Sequence, residues 1–153
     1  PTRRSSDRIG RASCRERVNS FSFIQPSVEE LKQIENHEII VMQLQIHVEN
    51  AIEHGLRNRK KSSYVKLSIN ETEKEIIFTI EDDGGGRNYS KKIKSTGTQR
   101  GSQMLSELHE IFNEVNDQKI TTEYKDEIFH TGEEYFGTKV VITIPKQYKY
   151  KIK

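Results

Sequence analysis

Apolar residues along this chain recur with two different periods. From Val41 to about Arg59, the positions Leu44, Val48, Ala51, Ile52 and Leu56 fall at spacings of four, three, one and four, which predicts one face of a helix of four to five turns. Met104, Leu105, Leu108, Ile111, Phe112 and Val115 repeat the helical spacing further along and predict a second helix. Elsewhere the period drops to two. Tyr64 to Ile69 and Glu75 to Ile80 read as antiparallel strands joined by a hairpin connection over Asn70 to Lys74. Ile120 to Tyr124 and Thr138 to Ile144 read as two more, the latter stopped by Pro145. Before the first long helix, Ser20 to Phe23 reads as a short strand. Pro26 to Leu31 reads as a turn entering a short helical stretch, with Ser27 and Glu30 in capping-box spacing. After Glu81 to Gly86, the stretch to Arg100 has almost nothing to bury, and a connection of that length in a compact domain is of the lid or binding-loop type. The order strand, helix, strand, strand, lid, helix, strand, strand predicts an α/β two-layer sandwich, a mixed sheet with its helices on one face.

Composition narrows this picture. The chain has 153 residues, 32% hydrophobic and 31% charged, with a mean hydropathy of −0.82, enough for one domain with a core and long solvated loops. The longest aliphatic run is Ile39-Ile40-Val41-Met42, against roughly 20 residues needed to cross a bilayer as a helix. A single cysteine, Cys14, excludes an intramolecular disulfide framework and any multi-cysteine zinc site. With no secretory apolar region at the N-terminus, the expectation is a cytoplasmic segment without membrane contact of its own.

Charge depends on residues 1–18, which hold six Arg, two acids and only Ile9 and Val18 as bulky apolar residues. Such a segment reads plainly as a disordered basic arm, the sort that binds nucleic acid. Ile9 to Val18 also looks like the conceptual translation of a common sequencing adapter, ATC GGA AGA GCG TCG TGT AGG GAA AGA GTG, and on that reading the natural protein resumes near Asn19 as an internal fragment. Without residues 1–18, Lys plus Arg falls from 25 to 19 and Asp plus Glu from 23 to 21, so a formal +2 becomes −2. The sequence pI of 8.7 then gives no support to a nucleic-acid partner. The expected organisation is an artefactual or disordered segment at 1–18, one domain over 19–145 and a basic tail over 146–153, which reads as a solvated end or the start of a linker.

Candidate chemistry lies at three places. Asn50, Glu53, His54 and Arg57 sit at i, i+3, i+4 and i+7, one polar stripe on the first long helix. The bland account is a solvated face. The functional one is that the Asn50 amide oxygen is a hard ligand for Mg²⁺, with His54 and Arg57 near phosphate oxygens. Asp82-Asp83-Gly84-Gly85-Gly86 follows directly from a buried strand, and is either a turn or a carboxylate able to accept from an exocyclic amino group, amid backbone that can approach a flat ligand closely. Ser95 to Thr98 and Gly101 then precede a helix, where backbone N–H groups can meet an anion. No Gly-Lys-Ser or Gly-Lys-Thr of a Walker loop is present, and the glycines do not follow a first strand as in a dinucleotide fold.

Together these segments resemble one family. Gln45-Ile46-His47-Val48-Glu49-Asn50-Ala51-Ile52-Glu53-His54-Gly55-Leu56 is similar to the asparagine motif Q-P-x-V-E-N-A-I-K-H-G of the LytS-type sensor histidine kinases. Asp82 to Gly86 resembles that family's D-N-G-x-G, Gly97-Thr98 to Gly101 its glycine-rich lid, and Phe136-Gly137-Thr138-Lys139-Val140 to Ile144-Pro145 its closing G-T-x-V-x-I-x-I-P strand. The four come in family order between Glu38 and Pro145. The fold this implies is the Bergerat ATP-binding sandwich shared with gyrase and MutL.

The resemblance implies ATP and Mg²⁺ as cofactors. Asn50 would ligate Mg²⁺ on the phosphates, Asp82 would hold the adenine amino group, and Gly84 and Gly86 would admit the nucleotide. Gly97, Thr98 and Gly101 would close over the phosphates with His54 near them, and Thr138 would support the adenine side. Glu49 would polarise the attacking histidine, although it lies about 100° around the helix from Asn50. The implied activity is that of a histidine protein kinase, passing the γ-phosphoryl group to a histidine on a dimerisation domain for relay to a response regulator. None of His37, His47, His54, His109 or His130 lies in a context like the family's acceptor motif N-P-H-F-x-x-N, so the expectation is the catalytic half of a truncated sensor whose parent is anchored in the inner membrane. Asp83 stands where the family has Asn, Gln99 where the lid often has Gly, Ser102 where it has Leu, and Val41 and Ile46 where prolines are expected. These departures keep open a degenerate, non-catalytic nucleotide-binding module that signals through protein contacts. An ATPase or serine kinase of the same superfamily and a basic nucleic-acid binder are the weaker alternatives.

Overall fold

The structure, a computed structural model, describes residues 21–55, 63–85, 99–132 and 134–150. Its elements are β1 (Phe21–Ile24), α1 (Val28–Gln33), α2 (Val41–Asn50) running into a single wide π turn (Ala51–Gly55), β2 (Ser63–Glu71), β3 (Glu75–Asp82), α3 (Gln99–Glu114), β4 (Thr121–Thr131) and β5 (Glu134–Pro145). The strands form one mixed sheet in the order β1-β2-β3-β5-β4, with β1 parallel to β2 and every other pair antiparallel. This is the α/β sandwich that the element order predicts. Among the described residues, no helix is long and apolar enough to cross a membrane.

The period-two pattern is realised most cleanly in β3, where Ile76, Phe78, Ile80 and Asp82 are buried and the residues between them are half-buried. Their partners on β5 are Ile144, Ile142, Val140 and Thr138, so the two strands share one apolar face. Val65 and Ile69 of β2, Ala51 of the π turn and Ile120 just before β4 complete the core, with Leu44 and Val48 of α2 packed against it. Burying one such aliphatic or aromatic side chain contributes about 1.5–3 kcal/mol. Asp82 therefore occupies a position that the pattern would otherwise give to a core residue.

Local chemistry explains the ends of the elements. The Ser27 hydroxyl accepts from the Glu30 N–H at 3.1 Å and Glu30 Oε2 accepts from the Ser27 N–H at 2.8 Å, the reciprocal cap expected from their spacing. The β1 strand pairs with β2 only from Ser63 to Lys66. Beyond it, Glu30 Oε1 accepts from the Ile69 N–H and Gln33 Oε1 from the Glu71 N–H, both at 3.0 Å, so α1 side chains continue the pairing that β1 leaves off. These bonds to Ser27 and Ile69 hold the Glu30 carboxyl below its ordinary range.

Several expectations change. The β5 strand starts at Glu134 rather than Thr138 and takes in Pro145 rather than stopping before it. The single helix to Arg59 stays α-helical only to Asn50 and then widens into the π turn, with residues 56–62 outside the described set. The β4 strand extends to Thr131 rather than Tyr124, with a bulge between Asp126 and Phe129 where Glu127 takes φ +59°. The tail is not a solvated end as far as Tyr150. Tyr148 Oη donates to Asn113 Oδ1 at 2.7 Å, Asn116 pairs with the backbone N–H and C=O of Lys149 at 2.9 Å each, and the Tyr150 ring meets Phe112 edge-on at 5.7 Å. Lys146 binds Glu71, which His37 also approaches, and these contacts draw the Glu71 carboxyl below its ordinary range.

Candidate functional site

The sheet ends, on its helix-covered face, in a row of polar residues. Asp82 on β3 lies opposite Thr138 on β5, and Thr138 lies opposite Asp126 on β4. Register partners project to the same face. Asp82 is 4% exposed and Thr138 7%. Asp82 Oδ1 accepts from the Gly84 N–H at 2.9 Å, the Asx-turn bond that bends the chain out of β3. Gly84 is in turn pinned from the far strand, because its carbonyl accepts from the Gly137 N–H at 2.7 Å. Gly137 has φ +85°, and a β-carbon there would sit 2.7 Å from Phe129 Cδ2 and 2.8 Å from the Asp82 carbonyl oxygen. Only glycine fits this corner. Asp83 faces the other way and is a tie to β2, its Oδ1 accepting from the Tyr64 N–H at 2.8 Å.

Burial pushes the Asp82 carboxyl up to about 6; the Gly84 N–H opposes this, and the neighbouring Asp83, Asp126 and Glu81 carboxylates reinforce it. The charged groups acting on Asp82 are thus acidic. A neutral N–H donor, such as an exocyclic amino group, suits it better than a second anion and restores its ionised form.

The second part of the site is the meeting point of α2 and α3. Asn50, the last residue of α2, donates from Nδ2 to Ser102 Oγ at 3.3 Å. With the nitrogen so engaged, Oδ1 is the hard oxygen that the residue can offer a cation. Among the described residues, no group of three or more His, Cys, Asp or Glu is placed to hold a metal ion. One amide oxygen suits an ion whose other ligands are phosphate oxygens and water. Gly101 lies within the first turn of α3 rather than in a loop, and its open side faces Ile46, whose Cγ1 is 3.7 Å from where a β-carbon would stand. Glu49 is exposed on the adjoining face of α2, where its Oε1 accepts from Gln45 Nε2 at 2.8 Å.

The structure therefore brings Asp82, Gly84 and Thr138 into one corner and sets Asn50 against α3. Gly86, Gly97 and Thr98 lie outside the described residues, as does the side chain of His54, whose backbone is in the π turn. Sequence reasoning did not assign Gly137, although it stands inside the quoted closing strand. It also took Ser102 as a departure rather than as the partner of Asn50. No local signal marks that pair, which is 52 residues apart in the chain.

A seam of polar residues adjoins the site. Gln43 and His47 of α2 are 0% and 3% exposed, and the Gln43 amide, His47 Nε2, His109 Nε2 and Thr122 Oγ1 have no hydrogen-bond partner among the described residues. His47 meets the Tyr124 ring edge-on at 5.7 Å. Burial, and then the nearby His109, draw its imidazole down to about 4, and burial lowers His109 as well.

The fold as a whole has counterparts of known structure. The histidine kinase domain of a blue-light activated histidine kinase from Erythrobacter litoralis matches with a TM-score of 0.53 at 20% identity, over 88% of this chain and 58% of that one. The fold is that of a histidine kinase catalytic domain. The present chain thus spans less than two thirds of that relative. The larger Erythrobacter litoralis kinase matches with a TM-score of 0.49 at 20% identity over 83% of this chain and 35% of that one. The mycobacterial sensor histidine kinase MprB matches at 0.47 and 12%, over 85% and 83% respectively. No protein-family model and no curated protein matches the chain.

Proposed function

We propose that the chain is the ATP-binding catalytic domain of a LytS-type two-component sensor histidine kinase, acting in the cytoplasm and passing the ATP γ-phosphoryl group to a histidine of a dimerisation domain, for relay to a response regulator. The observation that carries this reading is Asp82, a buried carboxylate at a strand end, held by the Gly84 N–H and set opposite Thr138. The fold and the family order of the four motifs support it. Asp82 Oδ2 would accept the adenine amino group and Thr138 would support the base, beside the corner that the Gly137 N–H to Gly84 carbonyl bond holds. Asn50 Oδ1 would hold Mg²⁺, with His54, Gly97, Thr98 and Gly101 as the candidate phosphate-side residues. The Mg²⁺ ion supplies neutralisation of the charge that develops on the phosphoryl oxygens. Glu49, exposed beside Asn50, accepts the imidazole proton of the incoming histidine as the phosphorus–nitrogen bond forms and the bond to the β,γ-bridging oxygen breaks.

Titration calorimetry of a non-hydrolysable ATP analogue into the full chain, with and without Mg²⁺, tests the reading. Saturable binding is expected, about ten- to a hundred-fold weaker in Asp82→Asn and independent of Mg²⁺ in Asn50→Ala. Absence of binding by the folded wild-type protein would overturn it in favour of a degenerate module acting through protein contacts.

A further inference from the structure

We propose that Ser102 is the positioning residue for Asn50: it holds the amide with its oxygen turned to the bound cation, and so ties the start of α3 to occupancy of the metal site. The inference rests on the reading of Asn50 given above and extends it to the second helix. An amide side chain is nearly symmetric in shape, and a cation binds only at its oxygen. A serine hydroxyl can meet either end of an amide, so a cation on the oxygen leaves the nitrogen to Ser102, as in the half-buried contact of Asn50 Nδ2 to Ser102 Oγ at 3.3 Å, and this bond anchors the side chain in that orientation. The packing next to this bond keeps the two helices close, because Ile46, one turn before Asn50, lies against Gly101, the residue before Ser102. An apolar side chain at this position would leave the amide nitrogen without this anchor. The serine that looks like a departure from the family pattern is on this geometry a partner for the metal ligand. Since α3 begins where the glycine-rich segment ends, a cation on Asn50 also stabilises the first turn of α3.

The test is calorimetry of a non-hydrolysable ATP analogue with the full chain, in excess Mg²⁺ and in a chelator, for wild type, Ser102→Ala, Ser102→Thr and Asn50→Ala. Alanine is the strongest helix former, so the first variant does not weaken α3. The expected result is that Ser102→Ala binds like wild type in chelator, loses about three- to ten-fold of the Mg²⁺-dependent gain in affinity, and is rescued by Ser102→Thr. A full Mg²⁺-dependent gain in Ser102→Ala, alongside its loss in Asn50→Ala, would overturn the role of Ser102 and leave Asn50 as the ligand. A full gain in Asn50→Ala as well would overturn both.

Discussion

Gly137 carries more of the site than any residue singled out by its chemistry. Its N–H fixes Gly84, its neighbour Thr138 stands opposite Asp82, and a β-carbon on it would lie within 2.9 Å of three neighbours, one of them the Asp82 carbonyl oxygen. Gly137→Ala is expected to destabilise the domain by about 2–4 kcal/mol, from the positive φ and the overlap together. Urea unfolding measures the loss, and a variant as stable as wild type would refute this account of the corner. Asp82, Gly84 and Thr138 were legible in the sequence because short motifs set a carboxylate, a turn and a hydroxyl at fixed offsets. Gly137 stands in the same motif, but the atoms that a β-carbon there would meet come from Phe129, Ile128 and Asp82, none of them adjacent in the chain. The Asn50–Ser102 bond was hidden for the same reason.

Between elements, the seam of α2, α3 and β4 sets the acid response. His47 is drawn from an ordinary 6.5 down to about 4, so the folded protein keeps it neutral while the unfolded chain takes up a proton below 6.5. Its contribution is therefore fully present above 6.5 and is lost as pH falls towards 4, with about 2 kcal/mol already lost by pH 5. His109 acts in the same sense. Asp82 acts in the opposite one, since its carboxyl is raised from 3.8 to about 6 and its contribution is lost as pH rises through that window. The wild-type profile blends these effects, but a comparison with His47→Met isolates one. Methionine keeps a sulfur–aromatic contact with Tyr124 without the titration. Its stability relative to wild type should rise by about 2 kcal/mol between pH 8 and pH 5 in urea unfolding, and a constant difference would show that His47 does not titrate as described. Periodicity found α2 and α3 because their apolar stripes are long. It missed the π turn because Ala51 and Ile52 continue the helical spacing through it. It also cut β4 short, because an edge strand reading Thr-Thr-Glu-Tyr-Lys-Asp-Glu buries little on either face.

At the scale of the whole molecule, the order of elements implied the layers, but not that the residues after Pro145 belong to the packed body. Alternating Lys and Tyr looks like a solvated end in one dimension. In three, Asn113 and Asn116 at the end of α3 take hold of Tyr148 and Lys149, while Tyr150 turns its ring onto Phe112 and is pushed up to about 12 by burial, with Tyr148 and Glu38 reinforcing the shift. Ending the chain at Gln147 should lower stability by about 3–5 kcal/mol through lost ring burial and hydrogen bonds. An unchanged urea midpoint would show the tail to be dispensable. The strand order has a consequence for synthesis. The last of the described strands, β5, is inserted between β3 and β4. On a ribosome that delivers the N-terminus first, the edge of β3, with Ile76, Phe78 and Ile80, waits without its neighbour until Pro145 has emerged. β4 and β5 pair locally and then dock as a hairpin, so the sheet closes in one late step. The nascent chain is most exposed to aggregation, and most in need of a chaperone, while β3 still waits for β5.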